Sequence, residues 1–324
     1  MKVNKLVVLG GGVLGSQIAY QSAYSGIPTV IYDISDDAVD AVKLRVATFT
    51  AQYKHDLKAS DEALTAADSR LTYTSDLTKA ALNADVIIEA VPERPAIKED
   101  VYTKLKPLIT PDTLLLTNSS TLLPSDLIQF APNAQRFLAM HFANQIWIHN
   151  VAEIMWAQGT PDKAIDDAVD VAKQLHMIPI KIQKEVSGYV MNSIFLPMIY
   201  AALFLWADGN SDPHSIDKDW MVSMSVDRGP FGFLDLMGLR TAVNIAKGYY
   251  QQTNDERYQR VADKLENEYV SHNKLGAETG EGFYTYPELR TRIRNLFSHK
   301  STIEPKTHTI SKQDLNDRGC AGSP

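Results

Sequence analysis

The feature that most constrains the fold is a glycine-rich segment that directly follows a short apolar run near the start of the chain. Residues 6–9 (LVVL) are wholly apolar, which is typical of a strand buried on both faces of a parallel sheet. Residues 13–24 are predicted to form a helix that ends near Gly26, because glycine is favoured just past a helix C-terminus. Residues 29–33 (TVIYD) are predicted to form a second buried strand, which completes a β-α-β unit.

The glycine segment (GGGVLG, residues 10–15) fits the pattern G-x-G-x-x-G in this strand-turn-helix context. Gly10 permits the tight turn, Gly12 lets the backbone approach a pyrophosphate, and Gly15 allows close packing of helix on strand. The helix start, including Val13 and Leu14, supplies backbone amides and a favourable dipole for phosphate. The segment therefore predicts a dinucleotide site.

Asp33 at the end of the second strand decides which dinucleotide is predicted. Its carboxylate accepts hydrogen bonds from ribose hydroxyls and repels a 2′-phosphate, which favours NAD over NADP. Three alternatives stay open: a glycine turn that binds nothing, a site for FAD or another dinucleotide, and an Asp33 that is an ordinary polar residue at a strand end.

Strand and helix patterns alternate through the first half of the chain and then give way to helices alone. This pattern predicts an α/β fold, with an N-terminal Rossmann-type doubly wound parallel sheet followed by an all-helical C-terminal domain. The predicted domains are a Rossmann domain at 1–186, a helical substrate and dimerisation domain at 187–287, and a polar tail at 288–324. Further predicted strands are 85–89, 113–117, 137–141, 152–155 and 178–182; predicted helices are two within 36–67, then 96–108, 162–175, 189–207, 215–225, 233–250 and 255–273.

Composition excludes several classes of protein. A hydrophobic content of 44% with 22% charged residues is ordinary for a globular chain, and a net charge of -7 argues against nucleic-acid binding. The single cysteine, Cys320, rules out an intrachain disulfide and a Cys-ligated metal cluster, so no metal is predicted. The apolar run at 194–207 is shorter than the roughly 18 residues that a membrane span needs. We therefore expect a cytoplasmic protein without a membrane partner.

Three polar segments suggest a catalytic group. Asn118 and Ser120 follow one predicted strand, His141 ends another, and Glu153 lies in an apolar run where a carboxylate needs a partner. A histidine oriented by a carboxylate is a common general base, and oxidation of an alcohol by hydride transfer needs one. Alternatively His141 is structural, Glu153 is a solvated residue at a strand end, and the serines belong only to a turn.

The ordered motifs resemble those of the 3-hydroxyacyl-CoA dehydrogenase family over most of residues 4–287. The shared motifs, as they stand in this sequence, are GGGVLG at 10–15, EAVPE at 89–93, NSS at 118–120, HFAN at 141–144, a glutamate at 153, GYVMN at 188–192, GPF at 229–231, and TGEGFY at 279–284. The resemblance implies an NAD-dependent dehydrogenase that dimerises through its helical C-terminal domain.

The resemblance also implies roles for individual residues of the reaction site. His141 is the general base and Glu153 orients it. Ser120 and Asn192 hydrogen-bond the oxygen atoms of the substrate, and Asn144 joins them as a substrate-binding residue.

For the cofactor, the resemblance places Glu93 and Lys98 at the ribose and Asn118 near the nicotinamide. These three residues add to the glycine loop and Asp33 as cofactor-binding candidates.

The sequence departs from the family at three positions. Gln145 stands where a proline usually follows the H-F-x-N motif, Ser193 replaces an arginine, and Glu278 replaces a basic residue. Because CoA carries phosphates that basic residues usually contact, the loss of two basic residues leaves open whether the substrate is a CoA thioester. Lys54 and Lys58 are the candidate cations for the CoA phosphates.

Three functions are therefore compared. The first is reversible NAD-dependent oxidation of a short-chain L-3-hydroxyacyl-CoA to the 3-ketoacyl-CoA, within fatty acid metabolism. The second is oxidation of a free small hydroxy acid or carnitine-like alcohol on the same scaffold. The third is a non-catalytic NAD-binding protein, against which the presence of both His141 and Glu153 argues.

Overall fold

A computed structural model describes residues 1–286, which fall into two compact units. The first unit is residues 1–196, and the second begins at Pro197. The division lies inside a helix, Tyr189–Ala207, and the predicted domain boundary between residues 186 and 187 stays a prediction. The predicted tail at 288–324, with Cys320, lies outside the described residues.

The first unit is built on one sheet, whose eight strands lie in the order β3-β2-β1-β4-β5-β6-β7-β8. The strands are β1 Leu6–Leu9, β2 Thr29–Tyr32, β3 Leu71–Thr74, β4 Val86–Glu89, β5 Leu114–Thr117, β6 Phe137–Phe142, β7 Val151–Met155 and β8 Ile178–Ile182. Strands β1 to β6 run parallel, whereas β7 is antiparallel to β6 and β8 is parallel to β7. The chain order reverses between β1 and β4, the point at which ligands bind in doubly wound sheets. The predicted Rossmann-type architecture is confirmed.

Helices pack on both faces of this sheet. They are α1 Val13–Tyr24, α2 Asp36–Ala47, α3 Phe49–Asp56, α4 Asp61–Ser69, α5 Leu77–Ala81, α6 Pro95–Leu105, α7 Pro124–Leu127 and α8 Asp162–Gln174. The side chains of Ser35 and Ser60 accept hydrogen bonds from the first turns of α2 and α4, which explains where those helices begin. Residues 36–67, predicted as two helices, contain three, because the chain also breaks at Thr48.

The central strands are buried on both faces, as their unbroken apolar sequences predict. Leu6 and Val8 of β1 belong to one core, and Val7 and Leu9 belong to the core on the opposite face. This alternation follows from the two-residue period of a strand. The carboxyl ends of the parallel strands are consequently fixed in place by two cores, and the candidate site lies at those ends.

The described part of the second unit is helical. It contains the end of α9 (Tyr189–Ala207), followed by α10 Pro213–Met224, α11 Pro230–Met237, α12 Leu239–Thr253 and α13 Glu256–Glu268. The prediction of one helix over 233–250 was wrong, because Gly238 separates α11 from α12 with a φ of 90°. Buried Asp235 of α11 also holds the segment that follows α13. Its carboxylate accepts hydrogen bonds from the amides of Phe283 at 2.9 Å and Tyr284 at 2.8 Å.

Helix α9 is longer than the apolar run considered in the sequence. It has 19 residues with a mean hydropathy of 1.7, so by length and composition it meets the requirement for crossing a membrane. The length argument against a membrane span therefore does not hold for this helix. Its first turn is nevertheless bound to the sheet of the first unit, as described below.

Candidate active site

The glycine loop between β1 and α1 divides into positions that the fold needs and one that it leaves open. Gly10 has a φ of 94°, and a Cβ there would lie 2.7 Å from the Ala90 carbonyl oxygen. A Cβ on Gly15 would collide with the carbonyl oxygen of Gly10. At Gly12, in contrast, no atom lies within 4 Å of the position a Cβ would take. The loop thus leaves space beside Gly12, where a pyrophosphate approaches the backbone.

The start of α1 and Asp33 complete the features expected of a dinucleotide site. No side chain among the described residues caps α1, so its first amides, from Val13 and Leu14, have no side-chain acceptor. Asp33 lies just past β2, and its Oδ2 accepts a hydrogen bond from the Gly11 amide at 2.9 Å. The carboxylate is therefore fixed beside the loop, and the residues present fit NAD.

Gly11 is a constraint that the motif did not identify, since it occupies a variable position of the pattern. A Cβ at Gly11 would collide with the side chain of Val42 on α2. The Gly11 carbonyl oxygen also accepts a hydrogen bond from the Arg45 guanidinium of the same helix. Helix α2 therefore packs directly on the loop, and the middle one of the three consecutive glycines was the only signal of this in the sequence.

His141 and Glu153 form a buried pair across the antiparallel strands β6 and β7. They are register partners, so their side chains project from the same face of the sheet. His141 Nδ1 lies 3.0 Å from Glu153 Oε2, and the two residues are only 8% and 5% exposed. The sheet register, rather than a loop, thus sets the distance between the candidate base and its orienting carboxylate.

The second oxygen of Glu153 binds the first turn of α9. Glu153 Oε1 accepts hydrogen bonds from the amides of Val190 at 2.9 Å and Met191 at 3.0 Å. Burial raises the pKa of the Glu153 carboxyl, but the hydrogen bonds from His141 and from these amides outweigh burial and lower that pKa below its usual value. Glu153 is therefore a stable acceptor for the imidazole.

Ser120 lies at the other nitrogen of His141. The Ser120 Oγ is 3.1 Å from His141 Nε2, so Glu153, His141 and Ser120 form a continuous chain of hydrogen-bonding groups. The structure thus brings together three of the four predicted catalytic residues. The catalytic role of each residue stays a prediction.

Glu93 anchors the turn that carries Ser120. Its Oε1 accepts hydrogen bonds from the amides of Ser120 at 3.0 Å and Thr121 at 2.9 Å, and from the Ser119 hydroxyl. Burial raises the pKa of Glu93, but these bonds and nearby Lys98 outweigh burial and lower it. In addition to its predicted contact with ribose, Glu93 therefore positions the serine turn.

Lys98 is buried beneath this turn, with 1% of its surface exposed. Its Nζ lies 2.7 Å from Glu89 Oε1 and 3.5 Å from Glu93 Oε2. Glu89 Oε2 also accepts hydrogen bonds from the hydroxyls of Tyr102 at 2.6 Å and Thr117 at 2.8 Å. Lys98 is thus surrounded by protein, and its contact with ribose stays a prediction. Glu89 was missed as a site residue, although a charged residue ending an apolar strand was the available signal.

The three predicted asparagines lie in different settings. Asn118 Oδ1 accepts a hydrogen bond from the Phe142 amide at 3.2 Å, which ties the end of β5 to β6. Asn192 lies in the first turn of α9, whose amides bind Glu153. Asn144 is exposed in the loop after β6. The predicted roles of all three toward nicotinamide or substrate stay predictions.

The residue that replaces the usual proline has a backbone conformation that proline cannot adopt. Gln145 has a φ of 59°, whereas the proline ring holds φ near −65°. Its amide donates a hydrogen bond to Gln17 Oε1 at 2.7 Å, and proline has no such donor. Nearby Trp147 packs on Tyr53 of α3 and donates to Asp56 at 2.8 Å. The loop that carries Gln145 in place of proline is therefore anchored to α1 and α3.

Together, the Rossmann sheet, the open glycine loop with Asp33, and the buried histidine–carboxylate pair define an NAD-dependent dehydrogenase acting on a CH–OH group. Family models support this class: residues 5–186 match the 3-hydroxyacyl-CoA dehydrogenase NAD-binding domain, and residues 188–286 match the C-terminal domain of the same enzymes. The chain belongs to the 3-hydroxyacyl-CoA dehydrogenase family.

Individual relatives show the range of substrates around this scaffold. The chain is 30% identical to a 3-hydroxybutyryl-CoA dehydrogenase of Clostridioides difficile, over 87% of this chain and 99% of the relative. Among solved structures, a diketoreductase described as acting on dicarbonyl compounds is 41% identical, with a TM-score of 0.83 and coverage of 88% and 100%. The (S)-3-hydroxybutyryl-CoA dehydrogenase of Ralstonia eutropha is 27% identical, with a TM-score of 0.76 and coverage of 88% and 99%.

Proposed function

We propose that this protein catalyses the reversible NAD-dependent oxidation of the 3-hydroxyl of a short-chain L-3-hydroxyacyl-CoA to the 3-ketoacyl-CoA. The observation that carries the proposal is the chain of buried Glu153, buried His141 and half-buried Ser120 at the strand ends of an NAD-binding sheet. Two relatives are named as dehydrogenases of 3-hydroxybutyryl-CoA, and these names support a substrate that is a CoA thioester with a short acyl chain.

The geometry gives each member of the chain a step in the reaction. Glu153 accepts a hydrogen bond from the Nδ1–H group of His141, which leaves Nε2 as the basic nitrogen on the side of Ser120. His141 Nε2 then takes the hydroxyl proton of the substrate, and the Ser120 hydroxyl donates to the substrate oxygen as its carbonyl develops. Bound NAD supplies the acceptor for the hydride. In the reverse direction His141 returns the proton.

A second candidate substrate is a free small hydroxy acid or dicarbonyl compound. The diketoreductase, at 41% identity, favours it. The two lysines considered for CoA phosphate are also engaged elsewhere: Lys54 Nζ lies 2.6 Å from Asp61 Oδ1, and Lys58 Nζ donates to the His55 carbonyl oxygen at 2.8 Å. On this alternative the catalytic chain acts in the same way, and only the substrate differs.

The deciding experiment follows NADH absorbance with acetoacetyl-CoA, free acetoacetate and an uncharged β-diketone at equal concentrations. We expect the highest kcat/KM with acetoacetyl-CoA. A preference for the free acid or the diketone would overturn the thioester and establish the second candidate. His141→Ala is the control, because it should abolish turnover of every substrate while the Kd for NADH stays within about twofold.

We further propose that the protein is a cytoplasmic homodimer that serves fatty acid metabolism without a nucleic-acid or membrane partner. Exposed apolar side chains in the second unit support the dimer, including Val222 at 74% and Met224 at 56% exposure. Light scattering after gel filtration would give twice the chain mass of 36.0 kDa. A single-chain mass at micromolar concentration would overturn the dimer.

A further inference from the structure

Tyr189 lies against the candidate base, and the mechanism above gives it no role. Its ring stacks on the His141 imidazole, with centroids 4.4 Å apart and planes inclined by 13°. Tyr189 is 1% exposed and packs in a small cluster with Ala139, Met155 and Ile182. The imidazole is therefore held on one face by a ring that is itself fixed in the core.

The phenol of Tyr189 reaches the turn that carries Ser120. Its hydroxyl donates a hydrogen bond to the Ser119 carbonyl oxygen at 2.7 Å. Burial, reinforced by the carboxylates of Glu93 and Glu153, raises the pKa of this phenol, so the hydroxyl stays a donor. One side chain thus contacts both the face of His141 and the backbone of the serine turn.

The backbone at Tyr189 is unusual in the same place. Gly188 has a φ of 84° and Tyr189 a φ of 57°, a left-handed conformation that is uncommon for a bulky residue. This reversal starts α9 so that the next two amides, those of Val190 and Met191, bind Glu153. An uncommon conformation maintained beside a catalytic pair points to a functional constraint.

We propose that Tyr189 is a positioning residue that fixes the plane of the His141 imidazole and ties it to the turn carrying Ser120. The proposal rests on the function proposed above. During turnover His141 Nε2 must exchange its contact with the Ser120 hydroxyl for one with the substrate hydroxyl. The stacking contact with Tyr189 does not take part in this exchange, so it keeps the ring oriented while the proton moves.

Two substitutions separate the ring from the hydroxyl. Tyr189→Phe keeps the stacking ring and loses the bond to Ser119, and we expect kcat to fall about two- to fivefold. Tyr189→Leu removes the stack, and we expect kcat to fall about 10- to 100-fold with little change in KM for NADH, because misorientation of a base slows the chemical step. Tyr200→Leu, the same change at another buried tyrosine of α9, is the matched control and should leave kcat per folded molecule unchanged.

A double mutant tests whether Tyr189 acts through His141. Adding Tyr189→Leu to Glu153→Gln, a variant that keeps a measurable rate, should cost much less activity than Tyr189→Leu costs alone, since both residues act by orienting the same His141 ring. A further loss comparable to that of Tyr189→Leu alone would overturn the proposal. So would equal kcat values for the Phe and Leu variants.

A spectroscopic signature makes the test independent of the substrate. A stacked aromatic ring shifts the imidazole proton resonances of His141 upfield, and His141→Ala assigns them among the eight histidines. The shift should persist in Tyr189→Phe and disappear in Tyr189→Leu while NADH binding shows that the protein is folded. An unchanged resonance in Tyr189→Leu would refute the stacking role. Failure of the proposed reaction would instead appear as absent turnover in a wild-type protein that shows the shift.

Discussion

The glycine loop and the chain of hydrogen-bonding groups formed by Glu153, His141 and Ser120 lie at strand ends of the same sheet, but the protein specifies them in different ways. The loop is six consecutive residues, and its glycines matter because they lack a side chain. Other atoms pack closely against Gly10 and Gly15, whereas the space beside Gly12 is open. The proposed catalytic chain is assembled from side chains at residues 120, 141 and 153, which only the sheet brings together. The first kind of site tolerates little change within the loop itself. The second kind of site depends on residues distant in sequence that hold its side chains in place, such as Glu93 at the serine turn and the first turn of α9 at Glu153.

The largest effect should come from the buried support of the serine turn. Lys98→Met removes the cation between Glu89 and Glu93 and leaves a buried carboxylate unpaired, so the free energy of unfolding should fall by about 3–5 kcal/mol. Urea unfolding of the variant and of the wild type measures this difference in the free energy of unfolding. Lys104→Met is the matched control on α6, because Lys104 and its partner Asp100 form an exposed pair, and its effect on stability should be much smaller than that of Lys98→Met. An equal loss of unfolding free energy in both variants would show that the buried ion pair of Lys98 stabilises the protein no more than a surface pair does.

The next effect tests the catalytic chain itself. Glu153→Gln presents an amide where a carboxylate accepts from His141 and from two backbone amides, so kcat should fall about 100-fold, or about 2.7 kcal/mol. NADH binding by fluorescence should not change, because Glu153 is not part of the glycine loop. Exposed Glu99→Gln provides the control. A kcat within threefold of wild type would show that the carboxylate does not orient the base.

The glycine loop offers a smaller but cleaner contrast. Gly12→Ala places a methyl group in open space, so the melting temperature should not change while NADH affinity falls about tenfold, or about 1.4 kcal/mol. Gly15→Ala should instead lose stability through its collision with Gly10. If Gly12→Ala bound NADH as wild type does, the space beside Gly12 would not belong to the cofactor.

The smallest effect is the pH dependence of stability. Because the pKa of Glu153 and that of Glu93 are both lowered on folding, their carboxylates stabilise the protein above the ordinary glutamate pKa of about 4.3. That contribution should be lost as the pH falls below this value through the lower pKa of the folded state. The difference in unfolding free energy between wild type and Glu93→Gln should therefore shrink from pH 6 to pH 3. A difference that grows on acidification would contradict the direction of the shift.

The same contrast explains what the sequence could predict. The strand, glycine turn and helix from β1 to β2 form a local pattern, and these elements were predicted closely. Strand β3 was missed because Leu71–Thr74 is half polar and lies at the edge of the sheet, without a continuous apolar run. The break between α11 and α12 at Gly238 was missed because a lone glycine is tolerated in many helices.

The site residues follow the same rule. The pairing of His141 with Glu153 was a hypothesis from chemistry, but their register was not predictable without the direction of β7. The short connection between β6 and β7 was an available signal, since a parallel crossover needs a dozen or more residues. Nothing in the sequence indicated that Tyr189 stacks on His141, because that contact depends on two left-handed residues in succession.

The antiparallel register of β6 and β7 also bears on the motions of the protein. Because His141 and Glu153 face each other across a backbone ladder, they can separate widely only when that ladder opens. Amide hydrogen exchange in these two strands should therefore report how often His141 and Glu153 come apart. Heat inactivation of the enzyme would then follow local opening of this hairpin, even while the parallel strands stay closed.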